Sequence, residues 1–234
     1  MPDQVTQQDR AKKLAGERAA NFVKDGQIVG LGTGSTAFFS IVRLGERIRE
    51  GLRIQGIPTS EASRTLATEQ QIPLVDFRDT VSIDVTIDGA DEVDCKFNLI
   101  KGGGGALLRE KIVAQATATQ IIVADDSKLK ERLGSFALPV EVTPFGWQAT
   151  GRRIEALGCE PVLRQTDERP FTTDNGNLIL DCPFREIVDP NQLEQDLRSI
   201  TGVVECGLFV GLTDRVIIGQ GDGTIRELDT PAAS

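Results

Sequence analysis

Histidine and tyrosine are both absent from the 234 residues. Their absence excludes Ser-His-Asp and Cys-His mechanisms, a histidine general base and a histidine-ligated zinc centre. Proton transfer near neutral pH is left to Asp, Glu, Lys or Cys. The four cysteines, Cys95, Cys159, Cys182 and Cys206, include no Cys-x-x-Cys spacing, so neither a zinc knuckle nor a redox pair is indicated. Thiols in a reducing compartment are expected instead. No stretch approaches the roughly 18 apolar residues of a membrane span, and MPDQVTQQDRAKKLAGERAANFV lacks the apolar centre of a secretion signal. The expected location is the cytoplasm. Internal repeats and low-complexity tracts are also missing.

What is present fits a globular protein of one good-sized domain, or one domain with a smaller companion. Hydrophobic residues make up 39% and charged residues 26%, which argues against disorder. The net charge of -9 opposes binding to nucleic acid or to an anionic membrane. An anionic small molecule stays admissible, because local N–H groups and lysines can outweigh a field screened within roughly 8 Å.

Apolar residues of Thr6 to Lys24 recur at helical spacing up to Asp25-Gly26. Next, Gln27-Ile-Val-Gly-Leu-Gly reads as a strand, cut off by a Gly/Thr/Ser turn and followed by a helix with Phe38, Ile41, Val42, Leu44 and Ile48 on one face. The pattern recurs with strands at 53–57, 81–87 and 120–124 and helices at 61–71 and 106–117. It predicts an α/β fold, a Rossmann-like parallel sheet with helices on both faces. Beyond Leu133 six of the ten prolines fall within about fifty residues, and the order becomes strand 139–143, helix 145–157, strand 161–165, strand 177–182, helix 190–200, strand 203–209. That βαββαβ order predicts a ferredoxin-like α+β domain, 135–206, inserted into a catalytic domain of 1–134 and 207–234. TDNGN at 173–177 would turn between the middle strands, and DRVIIGQGDGTIREL would return to the main sheet as a final hairpin.

Four segments carry candidate chemistry. GLGTGSTA at 30–37 joins a strand to a helix, where backbone N–H groups and the helix dipole can hold an anion, and Thr33, Ser35 and Thr36 suit a phosphate monoester. Gly32-x-Gly34-x-x-Ala37 also fits a relaxed dinucleotide fingerprint, but the second strand ends in Ile57-Pro58-Thr59-Ser60 without the ribose-binding acid. The plain alternative is a capped βα turn. DGADEVD at 88–94 clusters Asp88, Asp91, Glu92 and Asp94 at the carboxyl end of a strand; a divalent-cation cage and a solvated acidic turn are both open readings. KGGGGALLREKIVA sets four glycines before a helix, as if the backbone must approach a ligand, with Lys101 ahead and Glu110 about a turn in. Otherwise Arg109, Glu110 and Lys111 are only that helix's wet face. ADDSK at 124–128 brings Lys128 to the same edge.

Together with PVEV at 139–142, TDNGN and GVVECGLF at 202–209, these motifs closely resemble the A-type ribose-5-phosphate isomerases over nearly the whole chain. Gly105 stands where that family often has alanine, a conservative departure. The resemblance implies interconversion of D-ribose 5-phosphate and D-ribulose 5-phosphate through an enediolate, with no metal or organic cofactor. It implies a substrate site of Thr33, Gly34, Ser35, Thr36, Asp88, Gly89, Ala90, Asp91, Lys101, Gly102, Gly103, Gly104 and Lys128. Glu110 would be the proton acceptor, with Asp88, Asp91 and Lys101 as further catalytic groups, and the chain a homodimer. Two other functions remain in view: a non-catalytic sugar-phosphate effector domain and a nicotinamide-dependent oxidoreductase.

Overall fold

The computed structural model describes residues 6–230. Among them no helix is long and apolar enough to cross a membrane. The chain divides into two compact units, one of Met1–Ala90, Arg109–Leu129 and Leu212–Ser234, the other of Asp91–Leu108 and Lys130–Gly211.

The first unit is built on a six-stranded sheet in the order Ile225–Asp229, Arg215–Gly219, Gln120–Asp125, Val85–Gly89, Ile28–Leu31, Gln55–Pro58. Its strands pair in parallel except for the terminal hairpin. Gln120–Asp125 is buried at every position, as a central strand with helices on both faces requires. Val29, Leu31, Val85, Ile87, Ile121, Val123 and Ile217 form one apolar face against Ala15, Ala19, Ile41 and Leu44 of the helices Gln7–Ala20 and Ser35–Arg49. On the opposite side Ile57, Ile83 and Val113 pack together. Thr6 starts the first helix with a capping box to Asp9, and Ser60 starts the helix Glu61–Glu69 with one to Ser63. The strand order reverses between Ile28–Leu31 and Val85–Gly89, so the carboxyl ends of these neighbours form the crevice where α/β sheets bind ligands.

In the second unit a four-stranded antiparallel sheet runs Val203–Cys206, Leu138–Val142, Leu178–Cys182, Val162–Leu163. Helices Trp147–Glu155 and Pro190–Ser199 fall in the two crossovers, which is the ferredoxin-like arrangement. Leu138, Val140, Val142, Ile154, Leu178, Leu180 and Leu197 fill its core.

Several local elements differ from the sequence reading. The stretch 203–209 breaks at Gly207, because a Cβ there would lie 2.2 Å from the Lys101 carbonyl oxygen. Leu208–Phe209 leaves the four-stranded sheet and pairs with Leu99–Ile100, which in turn pairs with Glu92–Val93. The strand expected at 81–87 is Val85–Gly89, so Asp88 and Gly89 belong to the strand end rather than to the turn. Between Val162–Leu163 and Leu178–Cys182 the chain forms an extra hairpin, Gln165–Thr166 against Arg169–Pro170, before reaching TDNGN. That turn folds onto the buried Glu141, whose carboxylate accepts from the Thr173 hydroxyl at 3.0 Å and the Asn177 amide at 2.9 Å.

Candidate active site

In the first unit, register places Leu31 beside both Pro58 and Ile87, so the turns that follow these strands emerge at one edge. A Cβ on Gly32 would sit 2.5 Å from the Asp88 Cα, which restricts this close crossing to glycine. Asp88 is fully buried, and its Oδ1 accepts the N–H of Thr33 at 3.0 Å and of Gly89 at 2.7 Å. The Thr33 hydroxyl lies 2.8 Å from those of Thr59 and Ser60, and Thr59 donates to the Leu31 carbonyl at 3.0 Å. Thr33 thus braces the turn from inside. Thr36 is only 8% exposed, while Gly34 and Ser35 face outward. Gly34 begins the helix Ser35–Arg49 with no side-chain cap and no acid in its first turn, which leaves a helix N-terminus with the polarity an anion needs. A cleft of about 810 Å³ borders Gly32, Thr33, Gly34 and Ser35 and continues along Phe38 and Leu66.

Glu110 stands in the first turn of the helix Leu107–Gln115 and is 4% exposed. With Lys111 also buried, the wet-face reading of Arg109, Glu110 and Lys111 holds for Arg109 alone. Arg109 bonds the Glu61 carboxylate at 2.7 Å and holds its pKa below the ordinary value. Lys128 is half-buried in a single helical turn after the strand Gln120–Asp125, started by Asp125, whose Oδ1 accepts the Ser127 N–H at 3.1 Å.

In the second unit, Asp91 accepts the Gly103 N–H at 2.7 Å. Lys101 is 2% exposed, with its ammonium 5.5 Å from the centre of the Phe209 ring and its amide bonded to the Gly207 carbonyl at 2.9 Å. Gly102 and Gly105 adopt φ of 105° and 80°, and a Cβ on Gly105 would lie 2.4 Å from the Phe171 ring. At 105 the left-handed backbone and the neighbouring ring both favour glycine. The other acids of DGADEVD are structural. Glu92 accepts the amides of Gly134 and Phe136, each at 2.7 Å, and Asp94 those of Lys96 and Asn98, each at 2.8 Å. Glu194, Glu205 and Cys206 bring ligand atoms within 4.8 Å of one another, but a cation is already supplied by Arg198, 3.8 Å from Glu205.

The first unit therefore assembles Thr33, Gly34, Ser35, Asp88, Gly89 and Ala90 at one crevice, with Lys128 following the adjacent strand. The second gathers Asp91 and Lys101 to Gly104 in one loop. Sequence reading missed Thr59, Ser60, Arg164 and Phe171. The Ser60/Ser63 spacing was a readable cap signal. Nothing local marks Arg164, whose partners Gly102 and Gly103 lie about sixty residues away.

The family model described as "Ribose 5-phosphate isomerase A (phosphoriboisomerase A)" matches residues 55–223. Among similar proteins, "Ribose-5-phosphate isomerase A 1" of Oceanobacillus iheyensis is 53% identical over 93% of this chain and 98% of its own. "Ribose-5-phosphate isomerase A" of Bacillus mycoides is 54% identical over 91% of this chain and 96% of its own. The solved structure of ribose 5-phosphate isomerase A from Methanocaldococcus jannaschii superposes with a TM-score of 0.88 at 42% identity, covering 93% of this chain and 98% of that one. A D-ribose-5-phosphate isomerase solved in complex with phospho-erythronic acid gives 0.92 at 39% identity, covering 95% and 99%. With likeness this high from end to end in sequence and in fold, the chain belongs to the ribose 5-phosphate isomerase A family.

Proposed function

We propose that the chain interconverts D-ribose 5-phosphate and D-ribulose 5-phosphate by moving a proton between C2 and C1 of the open-chain sugar. One observation carries the reading: near full-length identity above one half to proteins bearing that enzyme's name. The chemistry suits a chain without histidine or tyrosine. A carboxylate takes the C2 proton, the C1 carbonyl accepts the electron pair as an enediolate, the carboxylic acid returns the proton to C1, and the hydroxyl proton passes from O2 to O1. No hydride leaves the molecule, so the reaction requires no nicotinamide. The ligand named in the solved complex has a carboxylate whose two oxygens resemble those of an enediolate.

In this proposal Glu110 is the base, buried enough that solvent competes little for its proton. The uncapped turn of Gly34, Ser35 and Thr36 receives the phosphate, with Lys128 as its cation and Thr33 as internal brace. Lys101 stabilises charge on the sugar oxygens; Asp88 and Asp91 orient hydroxyls and backbone around the reacting carbons. The Gly103 N–H, engaged by Asp91, is withdrawn from the oxyanion role.

We further propose a cytoplasmic homodimer, a state supported by four free thiols and by exposed Phe38 and Phe145. The division into a catalytic 1–134 with 207–234 and an inserted 135–206 is kept as a proposal with three amendments: Asp91–Leu108 groups with the inserted unit, and so do residues 130–134 and 207–211.

The test is to incubate purified chain with D-ribose 5-phosphate, and separately with D-ribulose 5-phosphate, and follow both sugars to a common equilibrium. Binding without turnover would identify an effector-type domain and overturn the enzymatic reading. Turnover that required added nicotinamide would do the same.

A further inference from the structure

We infer that Arg164 is a positioning residue for the isomerase reaction, acting by fixing the peptide planes of the glycine run at 102–104. Its Nη1 donates to the carbonyl oxygens of Gly102 at 2.8 Å and Gly103 at 3.1 Å. The opposite edge of the guanidinium is held by Asp181, through Nε at 2.9 Å and through Nη2. Both side chains are largely covered, at 14% and 27% exposure, and the guanidinium carbon lies 5.8 Å from the Phe171 ring, the ring on which Gly105 rests. Arginine alone offers a rigid fork that can face a carboxylate on one edge and two carbonyls on the other.

The consequence follows from peptide planarity. The bond between Gly102 and Gly103 is pinned at both ends, its C=O by Arg164 and its N–H by Asp91. The bond between Gly103 and Gly104 is held at its C=O, and in a trans peptide the Gly104 N–H must then point away from Arg164. Consecutive glycines have no such preference of their own, because nothing in their sterics selects one plane orientation. The Gly102 carbonyl also accepts the Gly105 N–H at 3.0 Å, so the distinct contribution of Arg164 is to the Gly103–Gly104 plane, whose N–H it keeps as a fixed dipole for developing negative charge rather than one that reorients during the reaction. Its own charge is matched by Asp181, which makes it a brace and not a direct attractor of the anionic sugar.

This inference rests on the reading that the glycine run borders the substrate, and the experiment separates the two. Wild-type protein, Arg164→Ala, Arg164→Lys and Asp181→Asn are assayed with D-ribose 5-phosphate, with and without added guanidinium chloride at concentrations well below those that unfold the chain. An inactive, folded wild type overturns the isomerase reading itself. With an active wild type, Arg164→Ala is expected to lose about 10- to 100-fold in kcat with KM within about threefold, the size of effect that displaced reacting groups produce. Arg164→Lys should recover little, because one ammonium cannot span both carbonyls and the carboxylate. Guanidinium should raise kcat of Arg164→Ala several-fold and leave that of wild type unchanged. If Arg164→Ala does not fold, Asp181→Asn carries the test, with an expected loss of about 3- to 10-fold in kcat. Unchanged kcat in a folded Arg164→Ala, or in Asp181→Asn where that variant carries the test, overturns the inference. So does a loss in Arg164→Ala that guanidinium does not relieve.

Discussion

The carboxylate of Asp88 accepts the amide N–H of Thr33 at 3.0 Å and so ties the glycine turn after one central strand to the end of its neighbour. The same oxygen takes the Gly89 N–H, and a Cβ at Gly32 could not fit over the Asp88 backbone. Asp88 is therefore part of the frame that shapes the turn as well as a charge within it.

Two substitutions should separate those roles. Asp88→Asn keeps an acceptor oxygen for both amides and removes the charge, so folding should be retained while kcat falls. Asp88→Ala leaves buried donors without an acceptor, at a cost of about 1–3 kcal/mol for each unsatisfied group. Urea unfolding of both variants measures the difference; an Ala variant as stable as wild type would show that the carboxylate does not hold the turn.

Activity should survive exhaustive chelation. Asp88, Asp91, Glu92 and Asp94 all accept backbone N–H groups, and Lys101 can supply the positive charge that an enediolate needs. Loss of turnover in EDTA, restored by magnesium or manganese, would contradict the roles given to Asp88 and Asp91.

Gly105→Ala should destabilise the protein by at least about 1–2 kcal/mol, the usual cost of a side chain in the left-handed region, with the collision against Phe171 added. Pairing it with Phe171→Leu should return part of the loss. Thermal unfolding of the single and double variants tests this, and strict additivity would mean that the ring contact contributes nothing.

Much of this was readable from local pattern. The strand, glycine turn and helix around Gly32 to Ala37 announce themselves within ten residues, and the period of Ile41, Leu44 and Ile48 needs no tertiary knowledge. The order of the inserted unit was legible because Leu138–Val142, Leu178–Cys182 and the helices Trp147–Glu155 and Pro190–Ser199 are long enough to show a period, although Val162–Leu163 is not. Glu92–Val93, Leu99–Ile100 and Leu208–Phe209 were not, since two-residue strands have none. Nor could Thr33 be seen to turn its hydroxyl toward Thr59 and Ser60, because that contact depends on the register between two strands. Gly207 did carry a signal: a glycine inside an apolar strand marks a close backbone approach, here to the Lys101 carbonyl.

Lys128→Ala should weaken D-ribose 5-phosphate binding by about 10- to 150-fold, the 1.5–3 kcal/mol typical of a charge-assisted hydrogen bond. Ribose without its phosphate should be a very poor substrate for both proteins. Calorimetry at low and high salt distinguishes a contact from a remote field, because only the latter is strongly screened. Equal affinities in variant and wild type would move the phosphate elsewhere.

Glu110→Gln provides the sharpest test of the base. The substitution preserves size and hydrogen-bonding capacity at a position that is 4% exposed and anchored in the first turn of the helix Leu107–Gln115. Folding should be intact by circular dichroism. Without a basic oxygen, kcat should fall by about 10²- to 10⁴-fold while KM changes little, as expected for a group that acts in the transition state. Substrate labelled with deuterium at C2 should keep its label in ordinary water. The rivals are the two aspartates: Asp88 Oδ1 accepts two backbone amides and Asp91 accepts the Gly103 N–H, bonds that give both a part in holding the backbone. Retention of more than about a tenth of kcat in Glu110→Gln, or washout of the label at the wild-type rate, would transfer the proton to one of those aspartates.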